Sequence, residues 1–209
     1  MERLETMATK RTKLHTPIGI AAYCWLIKPR PAKVDKDGKP RGEPKYGMAL
    51  FFKESTDMSE LEDAAKACLV EKFGPKAMDA VKRGKLRWPI RSIDGTEEDD
   101  DGNPPEAPFD KPGYVVNFSG QDRPGIVDQD AEPIMEKSEI YSGMEARVSC
   151  RTYSYDVDGN KGASFGLINV QKTGDGERLS GNPSAEDDFK PAKKKPQAKK
   201  RVVDDDDIL

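Results

Sequence analysis

The sequence has few of the residues that most catalytic and metal sites use. It contains one histidine, His15, and three cysteines, Cys24, Cys68 and Cys150, which lie far apart in the chain. Zinc sites need closely spaced Cys or His ligands, so this spacing predicts reduced, buried thiols and no zinc site. There is no glycine-rich phosphate-binding loop, which argues against ATP use. Consecutive carboxylates at 97–101 lack the fixed geometry of a two-metal nuclease centre. We therefore expect no enzymatic activity and no cofactor.

Long hydrophobic runs are also missing. No apolar run reaches the roughly 18 residues that cross a bilayer, and the N-terminal region has no signal-peptide core. Hydrophobic residues make up 35% of the 209 residues, and charged residues make up another 35%. The missing apolar runs predict a soluble, intracellular protein, the composition predicts a modest core, and the length suits a single domain.

The acidic residues are concentrated in two segments. Eight of them lie at 94–110, which has no basic residue, and the segment 186–209 holds seven acidic and seven basic residues. The rest of the chain has 28 basic against 23 acidic residues, although the whole chain has a net charge of −3. A basic body inside a weakly acidic chain favours an anionic partner such as nucleic acid.

We divide the chain into three parts. Residues 1–15 are predicted to be a flexible N-terminus, and 16–178 a folded domain with a turn-rich acidic insertion at about 94–113. Residues 179–209 are predicted to be a disordered tail, because so polar a segment buries too little apolar surface to offset the entropy of ordering.

The tail ends in four carboxylates and two aliphatic residues: Asp204, Asp205, Asp206, Asp207, Ile208 and Leu209. A partner protein with an apolar pocket and a basic rim could hold such a segment. It resembles the acidic, hydrophobic-ended tip of bacterial single-stranded DNA-binding proteins. The alternative is a tail that only keeps the protein soluble.

Alternating apolar residues predict a mainly β domain. The expected strands are 16–27, 45–53, 114–118, 126–127, 145–157 and 163–171. A helix capped by Asp57, or by Ser59 in a capping box with Glu62, is expected to end at Gly74, and a shorter helix is expected at about 76–83. Five or six strands with one helical excursion between the early strands indicate an OB-fold-like, antiparallel, partly closed barrel, with an open α+β sandwich as the alternative.

The strand faces predict which side chains contact a ligand. In the first strand Ile18, Ile20, Ala22, Cys24 and Leu26 are expected on the core face, and Tyr23 and Trp25 on the other. In the strand 145–157 the outward face should carry Arg147, Arg151, Tyr153 and Tyr155.

Basic and aromatic residues on one strand face are typical of single-stranded nucleic acid binding, in which each stacked base contributes roughly 1–3 kcal/mol. The predicted DNA-binding residues are Tyr23, Trp25, Lys45, Phe51, Lys53, Arg87, Trp88, Arg91, Arg147, Arg151, Tyr153 and Tyr155. For any single aromatic residue, packing in the core is the alternative role.

Several separated blocks, in the same order, resemble a bacteriophage family of single-stranded DNA-binding proteins with an OB-fold, formerly a domain of unknown function. The blocks are 87–91 (RWPIR), 123–128 (RPGIVD), 141–143 (YSG), 159–162 (GNKG) and 165–171 (FGLINVQ). The resemblance covers about residues 18–172. It implies a protein of the infected cell's cytoplasm that coats and protects phage single strands during DNA replication and recombination, without enzymatic turnover.

Three interpretations stand at this point. The leading one is a non-catalytic, sequence-independent single-stranded DNA-binding module whose tail tip competes with DNA and recruits phage or host replication and recombination proteins. The second is an adaptor that acts through its tail and binds nucleic acid only weakly. The third is an RNA-binding or metal-dependent nuclease domain. No membrane partner is expected, and self-association stays open.

Overall fold

The computed structural model describes residues 13–34, 38–97, 105, 107–157 and 159–179. The predicted tail, except for its first residue, and most of the predicted N-terminal segment lie outside these ranges. The strands are β1 Leu14–His15, β2 Gly19–Arg30, β3 Lys33–Val34, β4 Pro40–Arg41, β5 Lys45–Lys53, β6 Ile90–Ile93, β7 Gly113–Gly120, β8 Gly125–Val127, β9 Glu145–Val157 and β10 Asn160–Gly174. The helices are α1 Ser59–Phe73 and α2 Ala77–Lys82, and a short 3₁₀ helix covers Lys137–Glu139.

Five strands form a closed ring of hydrogen-bonded neighbours. The order is β2, β5, β7, β10 and β9, and β9 pairs again with β2. The strands β1, β6 and β8 extend this sheet at β9, β7 and β10, and β3 pairs with β4 apart from it. The mainly β, OB-fold-like prediction is confirmed, and the alternative of an open sandwich is not what the chain adopts.

One pairing in the ring departs from the expected antiparallel order. The strands β10 and β7 run parallel, as do β10 and β8. Neighbours cannot all be antiparallel in a closed ring of five strands, because directions that alternate around an odd number of strands must repeat once. The parallel pair between β7 and β10 is that repeat.

The core fills the inside of the ring and extends under α1. It includes Leu50, Phe118 and Phe165 from the strands, with Leu61 and Ala65 from the helix. The helix lies against β9 and β10, so it closes one side of the ring. α1, the longest helix within the described ranges, has 15 residues, fewer than the roughly 20 that a membrane span needs.

The start of α1 differs in detail from the prediction. No side chain caps Met58, the residue that precedes the helix, so the capping box of Ser59 with Glu62 is wrong. Instead, the Asp57 carboxylate accepts a hydrogen bond from the Ser59 backbone N–H at 2.9 Å. Hydrogen bonds from Ser59 hold the pKa of Asp57 below its ordinary value. The helix ends at Gly74, as predicted.

The strand β2 contains a bulge at Tyr23. Its pairing with β5 shifts register between Ala22 and Trp25, and Tyr23 has a φ of 51°. An extra residue in a strand reverses the side-chain alternation beyond it. Ala21 and Leu26 therefore both lie in the main core, five positions apart.

This bulge overturns part of the predicted face of β2. Ala22 packs into a separate cluster on the outside of the ring, and Ile18 is 54% exposed. The prediction that both share the core face with Leu26 is wrong, because it assumed an unbroken alternation. A left-handed backbone is uncommon for a tyrosine, and no neighbouring residue type indicates it.

Two of the three cysteines are held as unreactive thiols. Burial raises the pKa of Cys24 to about 11 and that of Cys150 to about 12. The sulfur of Cys24 also approaches the backbone oxygen of Tyr141 at 3.5 Å. All three cysteines are free thiols, and Cys68 is partly exposed on α1.

Candidate nucleic-acid interface

A row of paired residues crosses five strands on the outside of the ring. Trp25 pairs with Gly47, Gly47 with Ser119, Ser119 with Gly166, and Gly166 with Arg151. Side chains of successive strand residues point to opposite faces, and the adjacent row of Met48, Phe118, Phe165 and Thr152 is buried. The row from Trp25 to Arg151 therefore points outward. We call it the cross-strand groove.

Small residues form the floor of this groove. Its three middle members are Gly47, Ser119 and Gly166, and larger side chains stand at both ends. A Cβ atom at Gly47 would lie 2.7 Å from the backbone oxygen of Phe118, so a larger residue does not fit there. Four strand spacings of about 4.8 Å give the groove a length of about 19 Å along its curved surface.

The β2 end of the groove is aromatic and basic. Tyr23 is 66% exposed and Trp25 is 40% exposed. Both line a cavity of about 870 Å³ with Arg30, Lys45 and Tyr46, among other residues. Arg30 and Lys45 are paired in the β2–β5 ladder, so two exposed cations lie side by side next to the rings.

The β9 end carries Arg151 and Tyr153. Arg151 is exposed and Tyr153 is half-buried. A Cβ atom at Gly166 would lie 3.7 Å from two carbons of the Tyr153 ring, so this ring borders the floor of the groove. The two ends thus repeat the same combination of an aromatic ring and a cation.

Arg87 and Tyr155 extend the β9 end. Tyr155 pairs with Gly162, and Gly162 forms a parallel bridge to Arg87. The backbones approach closely here, because a Cβ atom at Gly162 would lie 2.5 Å from the backbone oxygen of Arg87. The Lys72 ammonium, 3.5 Å from the backbone oxygen of Ser154, adds another cation beside this strand.

The remaining predicted residues lie apart from the groove or have other contacts. Phe51 is only 3% exposed and packs in the outer apolar cluster, and Trp88 is half-buried against the core. Lys53 is exposed at the far end of β5, where it pairs with Gly113.

Two predicted arginines are engaged by neighbouring side chains. The Arg91 guanidinium binds the Glu97 carboxylate at 2.8 Å. Arg147 donates a hydrogen bond from Nε to Oε1 of Gln171 at 2.7 Å.

The list of DNA-binding residues predicted from the sequence omitted the floor, Arg30 and Phe109. Glycine inside a strand weakens it and marks places where a ligand or another backbone comes close, so Gly47 and Gly166 carried a usable signal. Phe109 lies in the acidic, proline-rich insertion, and its ring centroid is 6.2 Å from that of Tyr23. Within the described ranges, no three His, Cys, Asp or Glu side chains group closely enough to hold a metal ion.

Comparisons with known proteins identify a family for this chain. The family model described as Enterobacter phage Enc34, ssDNA-binding protein, matches residues 23–201. A comparison with curated protein sequences found no match.

Two solved structures share the fold. The single-stranded DNA-binding protein from bacteriophage Enc34, solved in complex with ssDNA, is 21% identical, with a TM-score of 0.51 over 80% of this chain and 89% of that one. gp2.5, a single-stranded DNA-binding protein encoded by bacteriophage T7, is 13% identical, with a TM-score of 0.53 over 86% of this chain and 96% of that one. Because the family model covers most of the sequence, the chain belongs to the family of the Enterobacter phage Enc34 ssDNA-binding protein.

Proposed function

We propose that this protein binds single-stranded DNA independently of sequence in the cross-strand groove, without catalytic turnover. One observation carries the proposal: the outward row from Trp25 to Arg151, which joins an aromatic and basic end to a second aromatic and basic end across a floor of small residues. Such a surface lets bases stack on rings while phosphates lie near cations. In the cell, the protein would coat and protect phage single strands during DNA replication and recombination.

The chemistry of the groove favours unpaired bases of any type. Every base has a ring face that can stack, whereas a paired base inside a duplex cannot offer its face to a side chain. The floor consists of two glycines and a serine, which give little means of recognising base edges. Affinity should therefore come from stacking and from phosphate contacts.

The tail is proposed to compete with DNA for the groove and to recruit partners when DNA displaces it. The four aspartates at 204–207 are suited to bind the cations that otherwise contact phosphate. Support comes from the last described residues. Leu179 packs against the outer apolar cluster that includes Phe51, and its N–H donates a hydrogen bond to the backbone oxygen of Ser142 at 2.9 Å. A flexible chain of about thirty residues has an r.m.s. span near 30 Å, which exceeds the length of the groove.

Tyr141 fixes the segment that leads into the tail. Its hydroxyl group donates to the Asp175 carboxylate at 2.9 Å, and the Arg178 guanidinium lies 4.1 Å from the centre of its ring. Lys172 binds the same carboxylate at 2.7 Å. Hydrogen bonds from Lys172 and Tyr141 hold the pKa of Asp175 below its ordinary value, so these contacts are in place at neutral pH.

A salt titration tests the proposed function. Apart from Lys72, whose ammonium contacts the backbone of Ser154, four exposed cations lie at the two ends of the groove and its extension: Arg30, Lys45, Arg87 and Arg151. Each phosphate contact on a single strand lowers log K by about 0.7 per tenfold rise in salt, so these four predict a slope of about −3. Oligo(dT), mixed-sequence DNA, duplex DNA and RNA of equal length are compared by fluorescence anisotropy. Equal affinity for duplex and single strands contradicts the stacking mode, and no binding at low salt favours the adaptor.

The two tryptophans should respond differently to DNA. Trp25 lines the groove and Trp88 packs against the core, so oligo(dT) should quench the emission of Trp88→Phe, which retains Trp25, more than that of Trp25→Phe.

Trp25→Ala and Tyr153→Ala should each weaken binding by roughly 1–3 kcal/mol and keep a cooperative melting transition. Met135→Ala, at a strongly exposed site, is the control. Loss of the melting transition in either alanine variant would assign that ring to the core.

Charge placed at the floor should change affinity in both directions. Ser119→Glu should weaken oligo(dT) binding and Ser119→Lys should strengthen it, each by about fivefold, since one added charge about 4 Å from a phosphate changes the energy by about 1 kcal/mol in water. Ser55→Glu, in the exposed turn after β5, controls for net charge. If the Glu variants at 119 and 55 lose affinity equally, the path of the DNA does not cross Ser119.

Truncation of the tail should separate its acidic and basic parts. Removal of 204–209 deletes four aspartates and should tighten DNA binding, most clearly at low salt, and abolish capture of partner proteins. Removal of 186–209 should have a smaller or opposite effect on affinity, because it also deletes seven basic residues. Both forms are measured beside the full chain in the same titration. Unchanged affinity at low salt in the shorter truncation would rule out competition with DNA.

A further inference from the structure

Phe109 contacts the exposed ring of Tyr23 from the side of the acidic insertion. The two rings are stacked, with centroids 6.2 Å apart and an angle of 25° between their planes. Phe109 also meets Phe51 edge-on, with centroids 6.0 Å apart. It therefore joins the most exposed aromatic ring of the groove to a buried one.

The backbone of Tyr23 needs support of this kind. Its φ of 51° lies in the left-handed region, which costs a residue other than glycine roughly 1–3 kcal/mol. Such a conformation persists only where the surrounding structure holds it. The ring of Tyr23 projects from this bulge, and Phe109 provides it with a stacking contact.

Phe109 is itself well fixed. It packs with Ile20 and Leu179 against the outer apolar cluster of Ala22, Ala49, Phe51, Ile93 and Val115. The base of the insertion is closely packed, because a Cβ atom at Gly95 would lie 2.6 Å from the backbone oxygen of Asp110. Pro108, next to Phe109, is buried. These contacts make Phe109 a packed part of the domain. We therefore interpret it as a fixed support for the Tyr23 ring and not as a lid over that ring.

We propose that Phe109 is a positioning residue for DNA, which holds Tyr23 so that the free face of its ring stacks on a base. This inference rests on the proposed function. Tyr23 remains 66% exposed while Phe109 is stacked on it, so the contact leaves most of the ring accessible. Phe109, at the base of the acidic insertion, thus contributes to the groove through an apolar contact, although the acidic residues of the insertion carry the charge that repels DNA.

A double-mutant cycle with Tyr23 tests this role. Phe109→Ala should weaken oligo(dT) binding about 2- to 10-fold, the worth of one aromatic pair. In the Tyr23→Ala background the same substitution should have no further effect. Phe109→Tyr, which retains the ring, should bind like the wild type. Phe73→Ala, at a half-buried aromatic on α1, is the matched control for a general loss of packing. Phe109→Leu serves in the cycle if the alanine variant lacks a melting transition, because leucine retains apolar volume without a ring.

The outcomes separate this inference from the proposed function. Tighter binding by Phe109→Ala, or an equal loss in the Tyr23→Ala background, overturns the positioning role. So does unchanged binding by Phe109→Ala when Trp25→Ala is impaired, and in that case the proposed function stands. If the wild-type protein does not bind oligo(dT) at low salt, both fail.

Discussion

The structure depends on the pairing of β10 with two strands that run in different directions. This strand is antiparallel to β9 and parallel to β7, and it closes the ring in this way. The same two pairings align Ser119, Gly166 and Arg151 on the outside and Phe118, Phe165 and Thr152 on the inside. The core and the groove are therefore the inner and outer faces of the same paired strands, and the pairing that forms one also forms the other.

The sequence was most informative where the side-chain pattern is local. The bounds of β5 and β9 and the buried face of β9 follow directly from alternation, and glycine marks the end of α1. The predicted faces of β2 were wrong beyond the Tyr23 bulge, because no residue type near Tyr23 indicates its left-handed backbone conformation. The sequence also led us to expect Phe51 on an exposed strand face. Periodicity does not show that Phe109, nearly sixty residues later in the chain, packs against Phe51 on that same face of β5.

The candidate site was predictable in its residue types but not in its arrangement. Strand faces selected Trp25, Arg151 and Tyr153, which the structure places at the two ends of one groove. These residues lie along one groove because of the register between strands that are far apart in the sequence. That register is set by the pairings around the closed ring, and no single segment of sequence determines it. The glycines of the floor were overlooked because a search for binding residues looks for charged and aromatic side chains, and glycine has none. Their contribution is the open space that they leave above the sheet.

Because β10 closes the ring, both the formation of the groove and the stability of the folded protein depend on the pairing of this strand. A chain in which β10 has not yet been made lacks Gly166 and has nothing to hold β7 beside β9, so the β7 and β9 sides of the groove stay apart until β10 pairs with both. The same coupling applies to the finished molecule. If DNA spans strands on both sides of β10, it must slow the opening of that strand, and a ligand bound only to the closed form raises the melting temperature by mass action. Occupancy by DNA would then protect the protein as well as the strand it coats.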